Sequence, residues 1–203
     1  MKLYTKPGAC SLSDHIVLNW IGAPFDVEVM DATTLKSPGY LARNPNGNVP
    51  ALEVDGWLLT QNAAILNYLA DSFPASGLGG DGTPKGRAEI NRWLAFVNAD
   101  VHPTFHPMFG STSYLGGEAM IEESKNNARR KLRGLFERVD AQLKGKDWLT
   151  GSRSIADPYL FVTLRWAKES KVDLSGLDNL ERFFQHMCAD AGVQKALKAE
   201  RLA

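Results

Sequence analysis

The chain has 203 residues, of which 44% are hydrophobic and 23% are charged. This length allows one large domain or two small ones, and the composition excludes a disordered or fibrous chain. Lys and Arg together number 23, as do Asp and Glu, so no net charge favours a nucleic-acid or membrane partner. We see no secretory signal and no run long enough to span a bilayer. The only two cysteines, Cys10 and Cys188, form no disulfide framework, so we expect a cytoplasmic protein.

The first third of the chain alternates strand and helix signals. Ser11 and Asp14 match the S-x-x-D form of a capping box, and Asp55-Gly56 is a strong hairpin signal. In chain order we predict a strand at 2–5, a helix from about Ser11 to a C-cap at Gly22, a strand at 25–29, a short helix near 40–43, a hairpin at 49–60 and a helix at 61–71. These elements predict a compact α/β domain at 1–73.

The remainder of the chain is helical in pattern. The Gly- and Pro-rich residues 74–84 are typical of a linker, and we assign 85–203 to an all-α domain. Apolar residues recur there at helical spacing in two segments: Ile90, Trp93, Leu94, Val97 and Val101, then Leu132, Leu135, Phe136, Val139 and Leu143. The basic cluster at 129–133 alternates with the second set, which favours a solvated helix flank over a nucleic-acid site. Two further helices are predicted from the segments at 154–167 and 179–191.

Cys10 follows a Pro-Gly turn and lies at the start of the first predicted helix. The unpaired N–H groups and positive dipole of a helix N-terminus lower a thiol pKa from about 8.5 towards 7 or below. A buried thiol that only packs is an equally good interpretation of the position alone. Cys188 shares a helix face with Phe184 and Met187, which favours packing there.

Two more signals accompany Cys10. Pro50 opens a predicted strand. A proline at this position is explained either by a cis bond that turns the N–H and C=O of Val49 towards a ligand, or by an ordinary trans proline at a strand start. Gln61 and Asn62 begin the third predicted helix, where donors converge for a carboxylate or simply cap the helix. The three signals are expected along one edge of a small sheet.

The "HPTFHP" segment places His102 and His106 four residues apart. That spacing suits two metal ligands on a helix, but Pro103 and Pro107 disturb the helix and no further ligand follows at suitable spacing, so we predict no metal. A donor role for His102 towards a bound thiolate or anion is the more attractive hypothesis, beside an ordinary surface or core histidine.

Three stretches together resemble one family. These are "KLYTKPGACSL" (2–12), "NPNGNVPALEVDGWLLTQNAAILNYLAD" (44–71) and "SIADPYLFVTLRWA" (154–167). In this order they are similar to cytosolic glutathione transferases, and the context of Cys10 is similar to the bacterial beta class. The resemblance spans almost the whole chain. It implies a thioredoxin-like α/β N-terminal domain, an all-α C-terminal domain, a homodimer, and glutathione as co-substrate.

The resemblance also implies roles for individual residues. Cys10 and His102 approach the glutathione sulfur as catalytic candidates, and Val49, before a cis Pro50, pairs with the tripeptide main chain. Ser154 and Asp157 match a capping box of the helical domain. The remaining glutathione-binding candidates are Lys36, Gln61, Asn62 and Asn98.

The chain departs from the beta-class pattern at four positions. Thr5 replaces a Tyr, Asn62 stands where Ser or Gly is usual, Ala95 replaces an Asn, with Asn98 one turn along, and Pro103 replaces a Lys. A hydrophobic electrophile is expected against an apolar wall, for which core packing is the alternative; its candidates are Phe105, Met108, Phe109, Tyr114 and Trp166. We therefore predict a glutathione transferase. The alternatives are a thiol-disulfide reductase that uses Cys10, and a non-catalytic module that binds ligands or proteins.

Overall fold

The structure is a computed structural model that describes residues 1–203. Its elements, in chain order, are β1 (Lys2–Thr5), α1 (Leu12–Ile21), β2 (Asp26–Val29), α2 (Pro38–Arg43), β3 (Ala51–Val54), β4 (Trp57–Thr60), α3 (Asn62–Ser72), α4 (Pro84–Phe96), α5 (His102–Thr104), α6 (Glu118–Gln142), α7 (Ala156–Glu169), α8 (Asp178–Ala189) and α9 (Ala191–Ala199). The predicted α/β unit followed by an all-helical unit is confirmed. Helix α9 was not predicted.

The four strands form one sheet in the order β2-β1-β3-β4, with β1 and β2 parallel and the other pairs antiparallel. Side chains alternate between its faces, as the pleat requires. Leu3 and Leu52 belong to the main core beneath α1 and α3, whereas Tyr4 and Ala51 pack in a small cluster with Tyr40 of α2. The sheet therefore brings the turn after β1 and the segment before β3 to neighbouring positions.

One hydrophobic core joins the two units. All ten apolar positions predicted at helical spacing in α4, in the turn after it and in α6 are buried. Helix α1 packs on α3 in the first unit and on α7 and α9 in the second. Gly192 in α9 permits a close approach, because a Cβ atom there would lie 2.5 Å from Cδ1 of Trp20. The 73/74 and 84/85 domain boundaries stay a prediction, and α4 begins at Pro84.

The capping box predicted at Ser11 and Asp14 is wrong. Ser11 Oγ instead lies 2.8 Å from Thr5 Oγ1 and accepts a hydrogen bond from the Lys6 N–H at 3.3 Å. Both carboxyl oxygens of Asp14 are buried without a partner. The reason is that the hydroxyl turns back towards β1 instead of forward along α1.

The second capping box is present. Asp157 accepts from the N–H and the Oγ–H of Ser154, both at 2.8 Å, and Ser154 Oγ accepts from the Ala156 N–H at 3.3 Å. The other Asp157 oxygen accepts from the Leu149 N–H at 2.9 Å. The box thus fixes the start of α7 and the loop before it.

The basic cluster at 129–133 is more than a solvated helix flank, because two of its arginines also bond to main-chain carbonyls of another segment. Arg129 donates to the Ser170 carbonyl at 2.9 Å, and Arg133 donates to the carbonyls of Asp173 and Ser175. Arg130 pairs with Glu123 on the same helix. The arginines therefore attach α6 to the α7–α8 connection. No helix in the structure combines the length and apolarity needed to cross a membrane.

Glu200, just after α9, links the C-terminal end of the chain to the turn after β1. Its buried carboxylate accepts from Thr5 Oγ1 at 2.8 Å and from the Gly8 N–H at 3.4 Å, and lies 3.0 Å from His15 Nδ1. A carboxylate can satisfy several buried donors at once, and its removal leaves each of them unpaired. This contact therefore fixes the turn that carries Cys10.

We predict that Glu200→Ala lowers the free energy of unfolding by about 3 kcal/mol, because the buried groups of Thr5 and His15 lose their acceptor. Urea unfolding followed by circular dichroism measures the change. Glu169→Ala, at an exposed residue of α7, is the control and is expected to stay within about 0.5 kcal/mol of the parent protein. Equal, small effects of the two changes would contradict the prediction.

We predict a pH-dependent stability difference at Asp157. Burial raises its pKa to about 6, against the lowering effect of the hydrogen bonds from Leu149 and Ser154. The protonated form therefore favours the folded state. This contribution is complete below about pH 4, the ordinary pKa, and is lost as the pH rises through about 6.

Relative to Asp157→Asn, which cannot titrate, the parent protein should lose about 3 kcal/mol of stability between pH 4 and pH 7. Urea midpoints of both proteins, measured across that range, test the sign. Parallel pH curves for the two proteins would refute it.

Candidate functional site

A cavity of about 280 Å³ opens where the α/β unit meets the helical unit. It is lined by Cys10, Asn48, Val49, Pro50, Gln61, Asn62, Asn98, His102, Pro103, His106 and Tyr159. The three sequence signals around Cys10, Val49 and Gln61 are thus brought together. The turn after α4, α5 with the residues after it, and α7 supply the opposite wall. The cavity is at the small end of the range for ligand pockets, and eight of its eleven lining residues are polar or charged.

Cys10 lines this cavity from the turn before α1, with Sγ 4.0 Å from the Val49 carbonyl oxygen. Burial, and secondly the charge of Asp14, raise the pKa of the Cys10 thiol to about 12. The N–H groups of Cys10 and Ser11 lower this pKa by less than burial raises it. Of the two interpretations that the sequence left open, a lowered thiol pKa and a buried thiol, these values favour the second: the helix dipole is present, but desolvation of the thiolate is the larger effect.

The Val49–Pro50 peptide bond is cis, as predicted. Val49 has no main-chain hydrogen bond through its N–H or its C=O, although β3 begins only two residues later. The segment before it is held by the Asn48 carbonyl, which accepts from Tyr40 Oη at 2.6 Å and from Asn44 Nδ2 at 2.8 Å. A rigid N–H and C=O at a cavity rim, with no main-chain partner of their own, is the arrangement that pairs with an extended peptide.

Gln61 and the N-terminus of α3 form the next part of the rim. Gln61 is exposed and has φ +76° and ψ +113°, a left-handed backbone that is unusual for a residue with a side chain. Its side chain makes no capping hydrogen bond, which leaves the first N–H groups of α3 available. Asn62 is buried, accepts from Ser13 Oγ at 3.1 Å through Oδ1, and leaves Nδ2 unpaired. This rim can therefore bind a carboxylate.

His102, Tyr159 and Asn98 are linked across the opposite wall. His102 Nδ1 lies 2.5 Å from Tyr159 Oη, which is 3.3 Å from Asn98 Oδ1. Helix α4 runs into a π-helical turn at Val97–Val101, just before Pro103, and this turn places Asn98 and His102 on the cavity side. Burial, and to a lesser degree His106, lower the pKa of His102 to about 4. His102 is therefore a neutral imidazole at neutral pH.

Several predicted site residues lie elsewhere. Lys36 does not line the cavity, and its Nζ points towards Gly47. Phe105 is fully buried, so of the two alternatives stated for it, an open apolar wall and core packing, core packing applies. Trp166 is also buried, with Nε1 donating to the Gly8 carbonyl at 2.7 Å, and it too belongs to the packing that joins the units.

The other three candidates for the apolar wall are open to solvent to different degrees. Met108 is half-buried, Phe109 is 54% exposed and Tyr114 is 79% exposed. Phe109 packs edge-on against Trp166 at 5.1 Å between ring centroids. Only Met108 and Phe109 therefore form a continuous apolar surface with the buried aromatic residues.

The rings of His102 and His106 lie 5.9 Å apart, and no group of three His, Cys, Asp or Glu residues could hold a metal ion. The structure adds two site residues that the sequence did not reveal, Asn48 and Tyr159, and it places His106, considered from the sequence only as a metal ligand, in the cavity lining. Tyr159 lies inside an apolar helical stretch, where an aromatic residue is normally assigned to the core. Its polar role is evident only from the short distance between Tyr159 Oη and His102 Nδ1.

Two family models match the chain. The model described as "Glutathione S-transferase, N-terminal domain" matches residues 1–71, and "Glutathione S-transferase, C-terminal domain" matches residues 90–191. Together they cover both units on either side of the cavity.

Individual relatives agree with these matches. The chain is 65% identical to glutathione S-transferase GST-4.5 of Xanthomonas campestris over the whole of both chains. Its structure is similar to that of a glutathione S-transferase from Xylella fastidiosa, with TM-score 0.97, 59% identity, and coverage of 100% of this chain and 99% of that one. It is also similar to a beta-class enzyme of Sphingomonas chungbukensis, with TM-score 0.87, 37% identity and full coverage of both chains. This chain belongs to the glutathione S-transferase family.

Proposed function

We propose that the protein conjugates glutathione, through its thiolate, to small hydrophobic electrophiles. The observation that carries the proposal is the cavity itself. It places a thiol, an unpaired main-chain N–H and C=O, an open helix N-terminus and a neutral imidazole around one space. These groups match the sulfur, the peptide main chain and the γ-glutamyl carboxylate of one tripeptide.

Each part of glutathione has a partner in this arrangement. The cysteinyl main chain pairs with the N–H and C=O of Val49, beside Pro50. The γ-glutamyl carboxylate binds at Gln61 and the N–H groups that open α3, near Asn62. Asn98 reaches the same space from the helical unit, and Lys36 is assigned only a weak role at the rim because it lies outside the cavity lining.

The glutathione sulfur is activated by hydrogen-bond donors that stabilise its thiolate, and not by a base of high pKa that removes its proton. With a pKa of about 12, the Cys10 thiol stays protonated at neutral pH and donates to the glutathione sulfur, stabilising its thiolate. We assign the hydroxyl hydrogen of Tyr159 to Nδ1 of neutral His102, which lies at 2.5 Å, rather than to Asn98 Oδ1 at 3.3 Å. This assignment leaves Nε2–H of His102 as a second donor. The thiolate then forms the new C–S bond while the leaving group departs from the electrophile. The proton of the glutathione thiol passes to solvent.

Thiol-disulfide exchange through Cys10 is a second candidate activity. The sulfur of Cys10 faces the cavity, and Cys188, on α8, does not line it, so no second thiol stands beside Cys10. Exchange would therefore proceed through a mixed disulfide with glutathione. The raised thiol pKa slows formation of a free Cys10 thiolate, which is why conjugation is the leading proposal.

We further propose that the protein is a cytoplasmic homodimer. We also propose that the hydrophobic electrophile binds against Met108 and Phe109. The free thiols are consistent with a reducing compartment. Trp57, on the edge strand β4, is 51% exposed beside Tyr68, which supplies an apolar surface for a second copy. Sedimentation velocity distinguishes a dimer from a monomer.

We predict that glutathione binds the protein, and that Cys10→Ala loses most thiol-disulfide exchange but keeps part of the conjugation activity. Loss of one neutral donor should reduce kcat/KM for a chloronitroarene by about tenfold, equivalent to one unit of thiol pKa. Calorimetry, the two rate assays, and mass measurement before and after reductant check this. Cys188→Ala is the control and should match the parent protein. No glutathione binding and no turnover would leave a non-catalytic binding module.

We predict that Tyr159→Phe lowers kcat for conjugation about tenfold while the Kd for glutathione changes little, because the ring nitrogen of His102 loses its fixed partner. Since the pKa of His102 is lowered to about 4, ionisation of this histidine should cause no change of rate between pH 5 and pH 9 in either protein. Stopped-flow and steady-state rates across that range test both statements. Tyr68→Phe is the control, and a histidine limb near pH 6.5 in the parent protein would contradict the assignment.

A further inference from the structure

His106 is an exposed histidine in the cavity lining that the proposed conjugation does not use. Of the four histidines in the chain, only His15 and His102 form a hydrogen bond through the ring. Both ring nitrogens of His106 are therefore free to meet a ligand. The family resemblance assigns a role to His102 and none to this second histidine of the cavity.

The local backbone places His106 between the sulfur site and the proposed electrophile surface. His106 begins a 3₁₀ turn that ends at Phe109. Side chains three residues apart eclipse in a 3₁₀ helix, so these two project from the same side of the turn. Phe109 packs against Trp166 with 5.1 Å between ring centroids, and Trp166 packs against His102 at 4.8 Å. The ring of His106 lies 5.9 Å from that of His102, so it neighbours both the sulfur donor and the aromatic surface.

The other groups of the lining that can exchange a proton already have a partner or a role. No Asp, Glu, Lys or Arg lines the cavity, and amide side chains such as that of Asn98 donate hydrogen bonds without giving up a proton. Cys10 and His102 are assigned to the glutathione sulfur, and Tyr159 is bonded to His102. His106 is the acid–base group of the lining that remains for the second substrate.

We propose that His106 is the general acid for the conjugation of glutathione to epoxides. The inference rests on the proposed conjugation and names one class of electrophile for it. The glutathione thiolate attacks one carbon of the epoxide ring, the C–S bond forms, the C–O bond breaks, and the electron pair of the broken bond stays on oxygen. That oxygen takes a proton from the imidazolium group of His106 and becomes a hydroxyl group. The neutral imidazole then regains a proton from solvent, and the product is a hydroxyalkyl thioether of glutathione.

The shape of an opened epoxide fits the two neighbouring histidines. Its sulfur and oxygen atoms end on adjacent carbons, so the donor to the oxygen must stand beside the donor to the sulfur, as His106 stands beside His102. An alkoxide leaves poorly unless it is protonated as the C–O bond breaks, and imidazole, which gains and loses a proton near neutral pH, is well suited to that step. A departing halide needs no proton. His106 should therefore accelerate epoxide opening and leave the displacement of a halide unaffected.

The test compares two electrophiles that differ only in the group that departs from carbon. They are 1,2-epoxy-3-(4-nitrophenoxy)propane and 1-bromo-3-(4-nitrophenoxy)propane, which carry the same aromatic group and are both attacked at a terminal carbon. Values of kcat/KM, corrected for the uncatalysed reaction, are measured for the parent protein and for His106→Gln. The glutamine amide can donate a hydrogen bond but cannot transfer a proton. A change in glutathione binding or in pocket shape affects both substrates, whereas loss of a general acid affects the epoxide alone.

We expect His106→Gln to lower kcat/KM for the epoxide about a hundredfold and to change that for the bromide less than about twofold. Equal losses with the two substrates, or no loss with either, would overturn the proposal. His186→Gln is the matched control, because the ring of His186 packs against Trp148 and does not line the cavity. Both rates of this control should equal those of the parent protein.

The same assays separate this inference from the proposed function. If the parent protein conjugates the bromide or a chloronitroarene but not the epoxide, conjugation stands and the role of His106 is refuted. If it conjugates none of the three, the proposed function fails and the inference fails with it. His106→Lys restores an ionisable acid at the same exposed position and should retain at least about tenfold more epoxide activity than His106→Gln. Equal epoxide rates for these two variants would refute the proton transfer.

Discussion

The carboxylate of Glu200 holds the C-terminal end of the chain against the turn that carries Cys10. Its partners, Thr5 and His15, lie on either side of that turn, and Trp166 bonds to the carbonyl of Gly8 within it. The turn is thereby fixed from the helical unit as well as from its own strand. The cavity lies directly beside it, so the geometry of the sulfur site depends on the packing of the two units and not on the α/β unit alone.

The same packing decides the chemistry available to the site. Because Cys10 and His102 both lose solvent at the junction, one pKa rises to about 12 and the other falls to about 4, and both groups are neutral donors at neutral pH. Neutral donors can stabilise a bound thiolate without themselves becoming competing nucleophiles or bases. A solvent-exposed thiol at the same helix N-terminus would instead have a lowered pKa.

The sequence predicts elements and motifs well where local rules decide. The Asp55-Gly56 hairpin and the C-cap at Gly22 are present as expected. The cis bond before Pro50 and the capping box at Asp157 agree with what the family resemblance implied, which local rules alone left open. The failures concern residues whose environment is built by distant segments. The desolvation of Cys10 and the burial of Phe105 depend on packing between the two units. Ser11 fails to cap α1 because its hydroxyl faces Thr5, which is itself bonded to Glu200 near the end of the chain. Tyr159 gains its polar role only from His102 and Asn98, which are far away in sequence, and periodicity cannot show such contacts.

Helix α9 approaches α1 closely because Gly192 has no side chain beneath Trp20. A methyl group at position 192 would increase the separation of the two helices, since the indole ring is also fixed by its bond to Asp190. Glu200 follows the same helix, so a wider separation would draw its carboxylate away from the first turn. Gly192, at the start of α9, therefore helps to fix the turn that carries Cys10, although it lies outside the cavity lining.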